Sequence, residues 1–440
     1  MDLISGNTRK VYFTLLLSAL SSTILTTIYS TVDVICVGQY LGPTGSAAVA
    51  CLNPFWTIFI APGVLFGIGG AVMLNNRRGA GDEAAARRYF TISSIFTLLC
   101  AALVFLTVMF FTEELLILFG ATEDTLEEAK KYMKPMLFAA PTFTICCAAA
   151  VFIRNDGEAF LPTFATVIGG VINIIGDVFF VFDFGLGLGI YGAGLATATG
   201  QIVAFLIIMS YFFMRKCKLK FTKITRIGKE LLKIITVGFS VFLAEVSIGF
   251  VAVFFNKLIV ENLSTSHLGV FGAVSTATIL LQSLYTTLGS ALQPIASAGY
   301  GAGDYKRVRS VFKTAILCSI GLGVLFTAFS QALPLEILKA YMDVDATVSE
   351  IGPSILRKYT LAIGISGISI VISYYLQSIL KRSVSVALSF ARGLVFPCAF
   401  ALLFSYALGF DFIWFAVPAS ELLTMILSSL TVKITSKSLR

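Results

Sequence analysis

The sequence predicts an all-α polytopic membrane protein with twelve transmembrane helices, arranged as two parallel six-helix bundles. Three observations lead there. Of 440 residues, 57% are hydrophobic and 13% charged, about half the charge density of an ordinary soluble domain. Mean hydropathy is +0.90, too apolar for a wetted surface plus a core. Apolar runs long enough to cross about 30 Å of hydrocarbon recur twelve times, and the chain repeats itself.

In order, the runs cover 11–38, 47–75, 90–111, 132–153, 159–182, 190–213, 232–260, 268–298, 311–333, 357–379, 384–408 and 412–432. The first is too long for the apolar core of a cleavable signal and reads as a retained span. An even number of spans puts both termini on one side. With the termini in the cytoplasm, outside segments hold only Lys130, Lys131, Lys134, Lys257, Lys339, Arg357 and Lys358, which leaves 25 of the 32 basic residues inside. That asymmetry sets the orientation and supports the even count. The net charge of +8 therefore speaks for a bilayer, not for nucleic acid. The eight cysteines sit mostly inside apolar runs and form no C-x-x-C, so no disulfide framework or metal site is expected.

The repeat is visible in "GIGGAVMLNNRRGAGDEAAARRYF" from Gly67 and "GSALQPIASAGYGAGDYKRVRSVF" from Gly289, 222 residues apart. Each copy follows the second span of its half, so the halves have the same orientation, as in transporters that rock around a central cavity. The expected domains are an N-terminal lobe at 1–214, a basic cytoplasmic linker at 215–231 and a C-terminal lobe at 232–440.

Four of the 24 acids fall within spans: Asp33, Asp177, Glu245 and Glu421. A carboxylate at bilayer depth costs roughly 2.5–3.5 kcal/mol, relieved by protonation, by a cation or by water. Asn173 and Asp177 are four residues apart and share a helix face. Counting about 1.5 Å per residue from the span ends, Asp33, Asp177 and Thr197 lie at nearly one depth, with Asn173 a turn deeper. Two carboxylates, an amide oxygen and a hydroxyl there could hold Na⁺ or share a proton. At the 222-residue offset, Asn173 and Asp177 fall on Val395 and Ala399, so such chemistry would be asymmetric. Glu245 and Glu421 are candidates for substrate binding or coupling in the second half. Glu421 could instead tie helices together, and Arg392 could snorkel or pair.

"IYSTVDVICVGQYLG", "FIRNDGEAFLPTFATVIGGVINIIGDVFFVFDFGLGLGIYGAGLATATGQ" and "GSALQPIASAGYGAGDYKRV" together resemble the MATE (multidrug and toxic compound extrusion) family over nearly the whole chain. The resemblance implies a V-shaped pair of six-helix bundles and antiport of organic compounds against Na⁺ or H⁺. It also implies a cation site in the first lobe at Asp33, Asn173, Asp177 and Thr197. Where some relatives carry a proline in span 1, this chain has Ser18. Where others carry an acid in span 10, it has none.

The expectation is a secondary antiporter, not an enzyme. It would export amphipathic, cationic organic molecules from the cell by alternating access, as a monomer, with no cofactor beyond the coupling ion. A lipid-linked oligosaccharide flippase of the same superfamily is the alternative. Its pyrophosphate would call for several basic residues in the cavity, whereas those within spans are almost limited to Arg392 and Lys257. A membrane-embedded enzyme would need convergent His, Ser or metal groups, and the chain's one histidine, His267, reads as a loop residue.

Overall fold

The computed structural model describes residues 6–119, 121, 123–224, 227–263, 265–341, 344 and 346–437; within the helices some side chains, that of Glu245 among them, lie outside the described set. The helices run in chain order: α1 Thr8–Ala50, α2 Asn53–Gly79, α3 Glu83–Leu118, α4 Glu123–Asn155, α5 Phe160–Val181, α6 Gly189–Ser210, α7 Ile227–Asn262, α8 Thr265–Gly301, α9 Tyr305–Ala332, α10 Pro334–Tyr341, α11 Ala346–Ser378, α12 Arg382–Phe390, α13 Phe396–Ala407 and α14 Ala416–Lys437. A π-helical turn, Ala391–Val395, joins α12 to α13. Among the described residues there is no strand. Among the described residues, eleven helical segments are long and apolar enough to cross a bilayer. The other long helix, α1, has 43 residues and a single charge after Lys10, Asp33. The protein is thus a polytopic helical membrane protein.

Helix ends differ from the hydropathy limits where Gly and Pro suggested loops. The segment "QYLGPTGS" was expected to separate spans 1 and 2, yet α1 runs through it to Ala50 and α2 starts at Asn53. Membrane helices tolerate Gly and Pro because neighbouring helices satisfy the freed backbone groups. The acidic stretch after span 3 is likewise largely helical: α3 continues to Leu118 through non-helical angles at Phe111 (φ −125°, ψ 21°), and α4 begins at Glu123. His267 falls in the first turn of α8 and stacks on Trp414, ring centroids 6.4 Å apart.

The repeated GAGD has a structural reason. In the first copy α2 ends at Gly79, Gly81 adopts φ +79°, and Asp82 accepts a hydrogen bond from Ala85 N at 2.9 Å. In the second, α8 ends at Gly301, Gly303 adopts φ +74°, and Asp304 accepts one from Arg307 N at 3.0 Å. A left-handed glycine closes one helix and an aspartate caps the next. The 222-residue offset then carries the start of α5 onto that of α12, so the halves share an element plan.

By packing, the described residues divide into two compact units, one within Leu17–Phe242 and the other within Ile4–Leu16 and Leu243–Arg440. The division falls inside α1 and α7, not in the basic linker. In the first unit Phe90, Phe152, Ile208 and Tyr211 belong to one buried cluster, and Phe55, Tyr132 and Met136 to another. The linker is strapped to this unit: Lys218 N donates to Asp156 Oδ2 at 2.9 Å and Thr222 N to Thr91 Oγ1 at 3.0 Å. Asp156 also binds Arg78 at 2.7 Å. In the second unit Phe255, Phe271, Tyr359 and Trp414 form the core. Tyr12 donates to Leu288 O, 3.3 Å, which ties the start of α1 to α8.

A Cβ at either left-handed glycine has room around it but carries a backbone penalty of about 1–2 kcal/mol. Gly81→Ala and Gly303→Ala should therefore each lower the melting temperature of the detergent-purified protein by about 2 °C. Gly228→Ala, at an open helical position, should not.

Candidate functional site

The site begins with how closely α5 and α6 approach. A Cβ built on Gly200 would lie 2.4 Å from Gly169 O, and one on Gly169 would lie 2.7 Å from Gly200 O. Small residues let two membrane helices touch backbone to backbone, and here they bring Asn173 and Thr197 within 3.1 Å of each other. Gly194 does the same for α4, since a Cβ there would meet Tyr132 O at 2.2 Å. That contact places the Tyr132 phenol between α6 and α1.

The polar groups meet where the helices meet. Tyr132 donates to Asp33 Oδ2 at 3.0 Å and lies 3.0 Å from Thr197 Oγ1. Asn173 Nδ2 donates to Thr197 Oγ1 and lies 3.5 Å from Asp177 Oδ1. Each hydroxyl has one proton, so with Tyr132 donating to Asp33 the order is set: Asn173 to Thr197, Thr197 to Tyr132, Tyr132 to Asp33. The amide orientation leaves Asn173 Oδ1 as a free acceptor. Asp177 is fully buried at 0% exposure, and Asn173, Asp33 and Thr197 are nearly so.

Three oxygens are left over: Asp33 Oδ1, Asn173 Oδ1 and Asp177 Oδ2 are buried and receive no hydrogen bond. The Asp33 and Asp177 carboxyls lie within hydrogen-bonding reach of each other. Two facing acceptors with no donor between them need a proton or a cation. A set made only of carboxylate, amide and hydroxyl oxygens suits a hard ion such as Na⁺, and shared use of one proton suits it equally.

The four residues expected at one depth, Asp33, Asn173, Asp177 and Thr197, are thus brought together. Tyr132 joins them and was missed. The hydropathy limits put it at the very edge of span 4, whereas α4 starts nine residues earlier, at Glu123. Arg154 was read as a cytoplasmic loop residue; it lies inside α4 and lines a cavity of about 300 Å³ that also reaches Asn173 and Thr197. Ser18 pins α1 to the start of α5: its hydroxyl donates to Ala159 O, and its own carbonyl accepts from Thr163 Oγ1 at 2.9 Å.

The second unit resolves its buried acid differently. Glu421 is held in two-point fashion by Arg392, Nη2 to Oε1 at 2.8 Å and Nε to Oε2 at 3.0 Å. Arg392 sits on the π turn just before Pro397, whose ring crowds the preceding turn and supplies no N–H. Both carboxylate oxygens of Glu421 are therefore engaged within the protein. Glu245 is on α7, but its side chain lies outside the described residues.

A helical membrane chain built twice over, with polar groups gathered at depth in one half, has the architecture of a transporter. The MatE family model matches residues 19–179 and 239–403, one stretch in each half, and the chain belongs to that family. Among curated proteins it is 25% identical over 342 residues to "Probable multidrug resistance protein YoeA" of Bacillus subtilis, covering 76% of this chain and 73% of the relative. It is 24% identical over 384 residues to "Multidrug export protein MepA" of Staphylococcus saprophyticus, covering 84% and 82%. A solved outward-facing multidrug resistance MATE family transporter of the MOP superfamily superposes with a TM-score of 0.90 at 22% identity, covering 99% of this chain and 98% of that one.

Removing one partner of a buried ion pair strands the other charge, at about 3–5 kcal/mol. Arg392→Gln should therefore lower the yield of folded protein and its melting temperature sharply. Adding Glu421→Gln should restore most of the loss, as read by size-exclusion profile and thermal melt.

Proposed function

We propose that this protein is a multidrug exporter of the cell membrane that expels organic compounds, cationic ones included, in exchange for Na⁺ or H⁺, with both termini in the cytoplasm. The observation that carries this reading is the pair of buried carboxyls, Asp33 and Asp177, facing each other with unpartnered oxygens. The names of the curated relatives support export of drugs.

The chemistry follows from the first unit's geometry. Asp33 and Asp177 take up the ion or proton. Asn173 supplies a neutral oxygen, and Thr197 with Tyr132 holds the network in register. Ion binding favours one conformation of the transporter only by its differential affinity for the two. The monomer is the proposed working unit. Glu421, engaged by Arg392, has no free oxygen for substrate, so a second-lobe contact falls to Glu245. The flippase alternative is disfavoured because, among the described residues lining the first unit's cavity, Arg154 is the single basic side chain.

In vesicles loaded with a fluorescent cation, an imposed Na⁺ gradient and an imposed pH gradient are applied separately, and the active one names the ion. Asp177→Asn should fold normally and lose at least about 90% of the gradient-driven flux; unchanged flux would sink the assignment. Tyr132→Phe removes one hydrogen bond to a charged group, about 1.5–3 kcal/mol. That bond favours the empty, charged carboxyl over the ion-bound one, so its loss should lower the ion concentration for half-maximal flux about tenfold, with little change in maximal rate.

A further inference from the structure

Arg154 is a half-buried arginine that the proposed ion exchange does not use. Among the described residues its one hydrogen bond is to Ser22 Oγ at 3.2 Å, and its Nε is buried with no acceptor. Other arginines of the same unit have acids: Arg78 binds Asp156 and Glu83, and Arg88 binds Glu230 at 3.1 Å. A guanidinium whose Nε is cut off from water and has no acceptor is costly. Arg154 lines the cavity of about 300 Å³, whose walls also include Ile60, Phe143, Ala150, Val151, Asn173 and Thr197. Along α1 from Ser22, the partner of Arg154, to Asp33 the rise is about 16 Å. The cavity thus carries one cationic side chain, Arg154, and the neutral polar groups of Asn173, Thr197 and Gln201 among apolar wall, with Asp33 and Asp177 beyond its lining.

We propose that this cavity takes a small organic molecule bearing a carboxylate, with the carboxylate docked on the Arg154 guanidinium and the apolar body against Phe143 and Ile60. The guanidinium offers two parallel N–H donors matched to a carboxylate, and the volume is that of a small-molecule pocket. A molecule carrying both charges would span the cavity with its cationic end toward Asn173 and the acids beyond. Arg154 then sets specificity for the anionic group. This inference rests on the export reading for its biological meaning but not for its test.

The test uses a rhodamine free acid, zwitterionic at neutral pH, and its methyl ester, a cation with the same body. Binding to the detergent-purified full-length protein is followed by fluorescence anisotropy. The wild type should bind the acid about tenfold more tightly than the ester. Arg154→Gln should remove that preference while leaving the ester's affinity within about twofold, and Arg154→Lys should keep part of it. Equal affinity of the two probes for the wild type, an equal fall for both in Arg154→Gln, or binding of neither overturns the proposal. Displacement of the acid by phosphatidylglycerol micelles at low concentration, but not by benzoate, also overturns it, since the anion would then be a lipid headgroup. Arg154-dependent binding with no gradient-driven efflux of either probe would keep the carboxylate site and sink the export reading instead.

Discussion

A charge inside a lipid-embedded helical bundle must be met by another protein group, a bound ion or enclosed water, because acyl chains supply no partner. The architecture turns on how that requirement is met. In the second unit it is met by closure: Arg392 and Glu421 neutralise each other through two short contacts. In the first it is left open: Asp33 and Asp177 face each other with oxygens that no hydrogen bond reaches. A closed pair is a tie between helices. An open pair leaves acceptor oxygens without a donor, which is the basis of the proposed ion site.

The open pair exists because three helices can come close enough to bring its support together. Gly169 with Gly200 joins α5 to α6, and Gly194 lets α6 reach α4 at Tyr132. The ordered chain from Asn173 through Thr197 and Tyr132 to Asp33 depends on those contacts. Packing of small residues and placement of polar ones are therefore one design: without the seam, the amide and hydroxyl would each sit unsatisfied at depth.

The internal repeat makes the asymmetry plain. At the 222-residue offset, Gly170 corresponds to Arg392 and Thr199 to Glu421. Where the first half has a small residue and a hydroxyl on neighbouring helices, the second has an ion pair. The same element plan thus carries two buried carboxyls with unpartnered oxygens in one half and an internal salt bridge in the other. What is common to both is local: the left-handed glycine and capping aspartate of each GAGD.

The sequence by itself determined the class, the number of long apolar segments and the repeat, because these depend on composition and on spacing along the chain. It also singled out Asp33, Asn173, Asp177 and Thr197, since polar groups in apolar runs are conspicuous and depth along a helix can be counted. Helix ends were less legible, and with them went Tyr132 and Arg154: a tyrosine and an arginine at the margin of an apolar run look like interface residues whatever they touch. Only the tertiary structure decided that Tyr132 bridges Asp33 and Thr197, that Arg154 faces a cavity, and that Glu421 belongs to Arg392. Those facts depend on which helix faces which, and that is set by close packing of side chains far apart in sequence, which no count along a single chain contains.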